Sequence, residues 1–224
     1  MGYLSEQDSA IVTSAVTEAE QTTSGEIVTV LADRSDGYSD VALLWSAVAA
    51  FTAMSVWALF PDFLTDKIDW LLGGWTYEWT SGELLTLMLG LGLLKFLGVW
   101  AIQQWDALRF LLVPGPVKTA RVHDRAVAHF KVGAERRTHG RTGIMIYLSM
   151  REHRAEIVAD IPIAEKVSAE VWGEAMEDML VEIKQGRIAE GMAAGVRDVG
   201  KILSEHFPRE EDDVNELPDR LIEV

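Results

Sequence analysis

The residues that could do chemistry in this chain of 224 residues are acids at the ends of short apolar runs. Asp160 closes Ala155-Glu156-Ile157-Val158-Ala159, Asp33 follows Glu26 to Ala32, and Glu165 sits just beyond Asp160. In open α/β sheets, ligands collect outside the carboxyl ends of the strands, so a site is expected at these positions. Ligation by oxygen alone suits Ca²⁺ or Mg²⁺. Asp160 is the candidate catalytic residue, and Asp160, Asp33 and Glu165 are the candidate metal ligands. The plainer reading of Asp160 is a cap on the turn before Pro162.

Other chemistries are excluded or thin. The chain has no cysteine, so disulfides, thiolate nucleophiles and thiolate metal sites are out. His123 and His129 lie at i and i+6, on different helix faces, and the remaining histidines have no zinc-like spacing. No Walker loop and no His-Glu-x-x-His pattern occurs. Arg136, Arg137, Arg141, Arg151 and Arg154 form a local basic cluster, in which Arg151, Arg154 and Arg141 are the candidate anion-binding residues. A solvated face, or contact with lipid headgroups, is the alternative for that cluster. The net charge of −15 argues against nucleic acid as a partner, since a polyanion meets net repulsion.

These residues need elements to position them. Leu4 to Thr22 carries apolar residues at helical spacing, with Ser5 and Asp8 as its N-terminal signature. Glu26 to Ala32 reads as a strand, as do Ile144–Leu148 and Ala155–Ala159, with a charged hairpin turn at Arg151–Arg154 between the last two. Helices are predicted over 117–134, 168–185 and 189–206, with a short turn or helix at 163–167. A strand left alone would expose unpaired backbone, so the three should share one sheet covered by helices on both faces. The expected fold is an α/β/α sandwich with a small mixed sheet. Residues 1–36 and 114–208 would form one split domain, and 209–224 a mobile acidic tail.

Between the halves lies an apolar block, residues 37–113. Val41 to Phe60 is twenty residues without a charge, and Leu84 to Ile102 is nineteen with only Lys95. A bilayer core needs about 20 apolar residues, so a two-helix transmembrane hairpin is predicted, with the lipid bilayer as partner. Seven of the eight tryptophans fall between Trp45 and Trp105, as an aromatic belt would place them. Lys95 sits near one end of its run, and its stem can carry the ammonium toward the interface. Ser46, Ala49, Ala50 and Ala53 form a small-residue stripe that lets the spans approach, homodimer packing being its second reading. The connector 61–83 mixes tryptophans with acids and reads as an interfacial segment. Arg109, Lys118, Arg121 and Arg125 follow the second span, which places that side, and hence both termini, in the cytoplasm. No cleavable signal peptide is recognisable at the start.

Several segments together resemble the TPM domain family. They are Ser24-Gly25-Glu26-Ile27-Val28-Thr29-Val30, Arg141-Thr142-Gly143-Ile144-Met145-Ile146-Tyr147-Leu148-Ser149, Glu156-Ile157-Val158-Ala159-Asp160 and Ala189-Glu190-Gly191-Met192-Ala193-Ala194-Gly195 through His206-Phe207-Pro208. The resemblance covers residues 4–33 and about 117–208. It implies an α/β sandwich. Members include a thylakoid-lumen protein linked to photosystem II repair and described as an acid phosphatase, and many bacterial membrane proteins. Some bind a divalent cation, calcium, through acids. Asp160 matches a family acid by position, although the glycines that often surround that acid are missing here. The resemblance implies a bacterial inner-membrane protein. Its domain would be either a binding or assembly module for a membrane complex or a divalent-metal-dependent phosphatase acting on phosphate monoesters.

Overall fold

The computed structural model of the chain describes residues 3–72, 78–133, 142–210 and 215–224. Helix α1 (Glu6–Glu20) leads to strand β1 (Glu26–Ala32). Helices α2 (Ser39–Leu59), α3 (Pro61–Leu72), α4 (Ser81–Ile102), α5 (Asp106–Leu112) and α6 (Gly115–Gly133) follow. Strands β2 (Gly143–Ser149) and β3 (Arg154–Ala159) precede α7 (Ile161–Lys166), α8 (Ala169–Lys184), α9 (Ile188–His206) and β4 (Ile222–Glu223). The chain divides into two compact units, residues 1–36 with 115–224, and residues 37–114.

In the first unit the described strands form one mixed sheet in the order β3-β2-β1-β4. β1 runs parallel to β2 over its whole length, from Glu26 opposite Gly143 to Ala32 opposite Ser149. β3 returns antiparallel to β2, with Ile144 opposite Ala159. All seven residues of β1 and of β2 are buried, which explains their near-continuous apolar runs: both faces are covered. Alternation sends Ile27, Ile144 and Ile146 to one face, against Ala15 and Val16 of α1, Met179 of α8 and Val196 and Leu203 of α9. Val28, Val30, Met145 and Tyr147 point the other way, onto Val122, Ala126 and Phe130 of α6. Ser5 starts α1 with a reciprocal cap: its hydroxyl accepts from Asp8 N–H, and its own N–H donates to the Asp8 carboxylate.

One expectation fails outright. Residues 215–224 are not a loose tail. Leu217 is buried in the core on the α6 side, and β4 pairs parallel with β1. The error came from composition: an acidic stretch with few apolar residues can still order when a strand edge and one apolar slot are waiting for it.

The second unit is a helical pair. α2 and α4, of 21 and 22 residues, are long and apolar enough to cross a membrane. They meet along small residues: Ala42, Ser46 and Ala50 of α2 and Gly92 of α4 are buried, with Gly92 against Met54. Elsewhere they expose apolar side chains, among them Leu44, Phe51, Leu89 and Leu94. The ends of this insert are tied to each other. Buried Gln103 donates its amide to Ala42 O (3.1 Å) and Ser46 Oγ (3.4 Å), and Arg109 donates to Gln103 O (3.0 Å) and Gly37 O (3.2 Å).

Candidate functional site

β1 and β2 are parallel neighbours, so the loop after β1 and the turn after β2 emerge at the same end of the sheet. The turn runs tightly into antiparallel β3, with His153 in the left-handed region (φ 51°). Between loop and turn lies a buried polar knot. Glu152 is 1% exposed and Ser149 fully buried. Ser35 N–H donates to Glu152 Oε1 (3.0 Å), and the Ser149 hydroxyl donates to Glu152 Oε2. Ser35 Oγ donates to Ser149 Oγ (3.0 Å) and shares a hydrogen bond with the Tyr147 hydroxyl (3.2 Å). On the α6 side, the His129 ring stacks on Tyr147, with centroids 5.8 Å apart. Burial first, then the Arg125 guanidinium, holds the His129 imidazole below its ordinary pKa. Burial pushes the Tyr147 hydroxyl up.

An acid, two serines, a tyrosine and a histidine thus meet at the place where open sheets bind ligands. Such a set can hold and pass protons, and as a satisfied network it also locks the two loops together. An outer layer surrounds it. The Tyr3 hydroxyl donates to Asp33 Oδ1, and Arg151 Nε reaches the same oxygen at 3.0 Å. These contacts hold the Asp33 carboxyl below the usual range, the Tyr3 hydrogen bond first. Arg121 pairs with Asp36 at 3.2 Å.

The acids singled out from the sequence do not converge. Asp160 lies at the opposite end of the sheet, because β3 is antiparallel to β1 and β2. Its carboxylate accepts Gly143 N–H (3.1 Å), its N–H donates to Gly143 O (2.9 Å), and its carbonyl accepts Ile163 N–H (3.0 Å). Seven strand residues at about 3.3 Å each put Asp33 and Asp160 roughly 20 Å apart. Glu165 is exposed on α7. Among the described residues no group of three or more His, Cys, Asp or Glu could hold a metal ion, so the set Asp160, Asp33 and Glu165 is not an assembled Ca²⁺ or Mg²⁺ site. Asp160 closes the β2–β3 ladder and begins α7. A cavity of about 180 Å³ lies beside it, lined by Val127, Phe130, Lys131 and Ile161 among others.

The basic cluster also separates. Arg151 engages Asp33, whereas Arg154 donates to His153 O (2.9 Å) and Thr119 Oγ1 (3.4 Å). Arg141 lies outside the described residues. Sequence reasoning missed Glu152 and Ser35. The available signal was an acid inside a turn too tight to spare it for solvent.

Residues 113–202 match the family model of the TPM domain. The chain contains a TPM domain. The matched stretch begins just before α6 and ends within α9, so it holds His129, Tyr147, Ser149, Glu152 and Asp160. Ser35, Asp33 and Tyr3 lie outside the match and come to the same end of the sheet through the pairing of β1 with β2. The NMR structure of BA42 protein from the psychrophilic bacterium Bizionia argentinensis is similar to this chain, with a TM-score of 0.57, 18% identity and coverage of 99% of this chain and 96% of that one. At that identity the likeness shows the fold alone. No curated protein matches the chain.

Proposed function

We propose that this is a membrane-anchored TPM-domain protein of the bacterial inner membrane, whose domain is a binding or assembly module for a membrane complex. One observation carries the anchor. Two paired apolar helices, exposing leucines outward, are inserted between strands that lie side by side in one sheet. A helix of 21 residues at 1.5 Å each is about 31 Å long, close to the hydrocarbon thickness. Exposed apolar surface on this scale does not stay in water. Because both ends of the insert return to the same domain, the number of crossings is even. Exposed Trp45, Trp100 and Trp105 sit near the ends of the spans facing that domain in sequence, where indole favours the interface. The excess of Lys and Arg after α4 supports a cytoplasmic domain.

A metal-dependent phosphatase would need acids gathered around an ion, and Asp33 and Asp160 stand at opposite ends of the sheet. The binding-module reading therefore comes first. The chain has no cysteine of its own, so single-cysteine labelling in intact spheroplasts is clean. Gln7→Cys and Arg209→Cys should resist a membrane-impermeant maleimide until lysis, while Asp62→Cys in the connector should react. Labelling of Gln7→Cys and Arg209→Cys on opposite sides would end the hairpin reading.

A further inference from the structure

Segment 215–224 is bound along the outer edge of β1 in the way a peptide ligand is bound. The buried Glu26 carboxylate accepts two consecutive backbone N–H groups, Glu216 on Oε1 (3.2 Å) and Leu217 on Oε2 (3.1 Å). Leu217 enters the core beside Val28 and Val30. Thr17 donates to Asp219 Oδ2 (2.6 Å). β4 then runs parallel to β1, with Ile222 opposite Val30 and Glu223 opposite Leu31. Val224 N–H donates to Leu31 O (3.0 Å), and Asp33 N–H to Val224 O (2.9 Å). Tyr3 N–H donates to the Glu223 carboxylate (2.9 Å).

A short ladder of main-chain bonds with one anchored side chain is the form of recognition by strand addition. Glu26 reads backbone rather than side chains here, so a carboxylate can hold a segment that is itself acidic. The hold is narrow. β4 has two residues, and Leu217 is the buried residue of the segment, the others being half-buried or exposed. Leu221 and Ile222 add only partly buried contacts, so the segment is expected to open at lower cost than the sheet it lies on.

We propose that the outer edge of β1 is a strand-accepting site, that residues 215–224 occupy it in cis as a removable strap, and that the same segment of a second copy of this chain takes it when the strap is out. The recognition features are those of this segment: paired N–H groups for Glu26, a leucine for the slot, and Ile222-Glu223 five residues on. Every copy carries the matching ligand. Release also frees Asp33 N–H, so occupancy of the edge is felt at the loop that bears Ser35.

The test uses a chain ending at Glu210, in detergent micelles, and a fluorescent peptide of residues 215–224. Anisotropy should show saturable binding. Leu217→Ala in the peptide, or Glu26→Gln in the chain, should weaken it about tenfold or more, and the full chain should bind the peptide at least about tenfold more weakly because its own strap competes. A folded shortened chain that ignores the peptide overturns the proposal. A scrambled peptide of the same composition that binds equally well overturns the assignment of the second copy as occupant. Should the shortened chain not fold, amide exchange on the full chain decides: Leu217→Ala should speed exchange at Asp33 and Val224 about tenfold while Ile146 in β2 stays unchanged. Exchange at Asp33 that rises only together with Ile146 would show that the segment is a fixed part of the fold. Two differently labelled full-length copies in one micelle population should exchange straps, giving energy transfer that Leu217→Ala abolishes.

Discussion

Glu152 and Asp160 are both buried acids next to β3, yet they do different work. Asp160 meets backbone: its carboxylate accepts Gly143 N–H across the ladder rather than an N–H of α7, and its position at a strand end made it visible in the sequence. Glu152 ties loop residue Ser35 to strand residue Ser149, 114 positions apart, through its own two carboxylate oxygens, and nothing local announces that. Truncation by Glu152→Ala would leave Ser35 N–H and the Ser149 hydroxyl buried with their acceptor gone, at a cost of about 1–3 kcal/mol in urea unfolding. The opposite sign is expected at Thr29. Its hydroxyl is buried in β1 and has no hydrogen-bond partner among the described residues. Thr29→Val keeps the shape and removes the unmet donor, so unfolding should show a gain of about 1 kcal/mol. His129 sets a pH dependence. Its folded pKa lies below the unfolded value, so the unfolded chain binds the proton first as pH falls. Stability contributed by neutral His129 is full above pH of about 6.5 and is lost on acidification through the folded pKa. His129→Phe should flatten that part of the stability profile, as melts between neutral pH and about pH 5 would show.

Helices and long strands were legible because their periods are local properties. The observed α1, α6, α8 and α9 fall within a few residues of the stretches read from apolar spacing, and β1 matches residue for residue. β4 was not legible: two residues carry no period, and they form a strand only because β1 offers an edge. How closely helices approach was also hidden. A Cβ on Gly191 would stand 2.8 Å from the Met179 carbonyl oxygen, so α9 lies against the backbone of α8 there. Gly191→Ala should destabilise the domain by about 1–3 kcal/mol in denaturant unfolding, since a backbone must move. A Cβ on Gly92 would meet only the Met54 side chain, at 2.6 Å from its sulfur. Methionine yields, so Gly92→Ala should cost well under the Gly191 change in the same measurement.

At the scale of the whole molecule, the direction of β3 decides what the acids can share. Asp33→Asn and Asp160→Asn should have additive effects on unfolding within about 0.5 kcal/mol, with or without added Ca²⁺, because sites roughly 20 Å apart do not couple. A coupling that appears only with Ca²⁺ would mean that the two acids do share an ion. From the sequence alone came strands β1 to β3, the main helices, the apolar block and the resemblance of the flanking parts to one family. Each of these follows from residue type and short-range spacing, which fix what a segment can bury. The hairpin turn at 151–154 already implied that β3 turns back; only the tertiary structure decided that β1 runs parallel to β2, which leaves Asp33 and Asp160 at opposite ends of the sheet, that Glu152 and Ser35 meet, and that 215–224 straps the edge of β1. Those outcomes depend on the pairing of β1 with β2 and on contacts between residues far apart in the chain, and no local pattern of side chains encodes either.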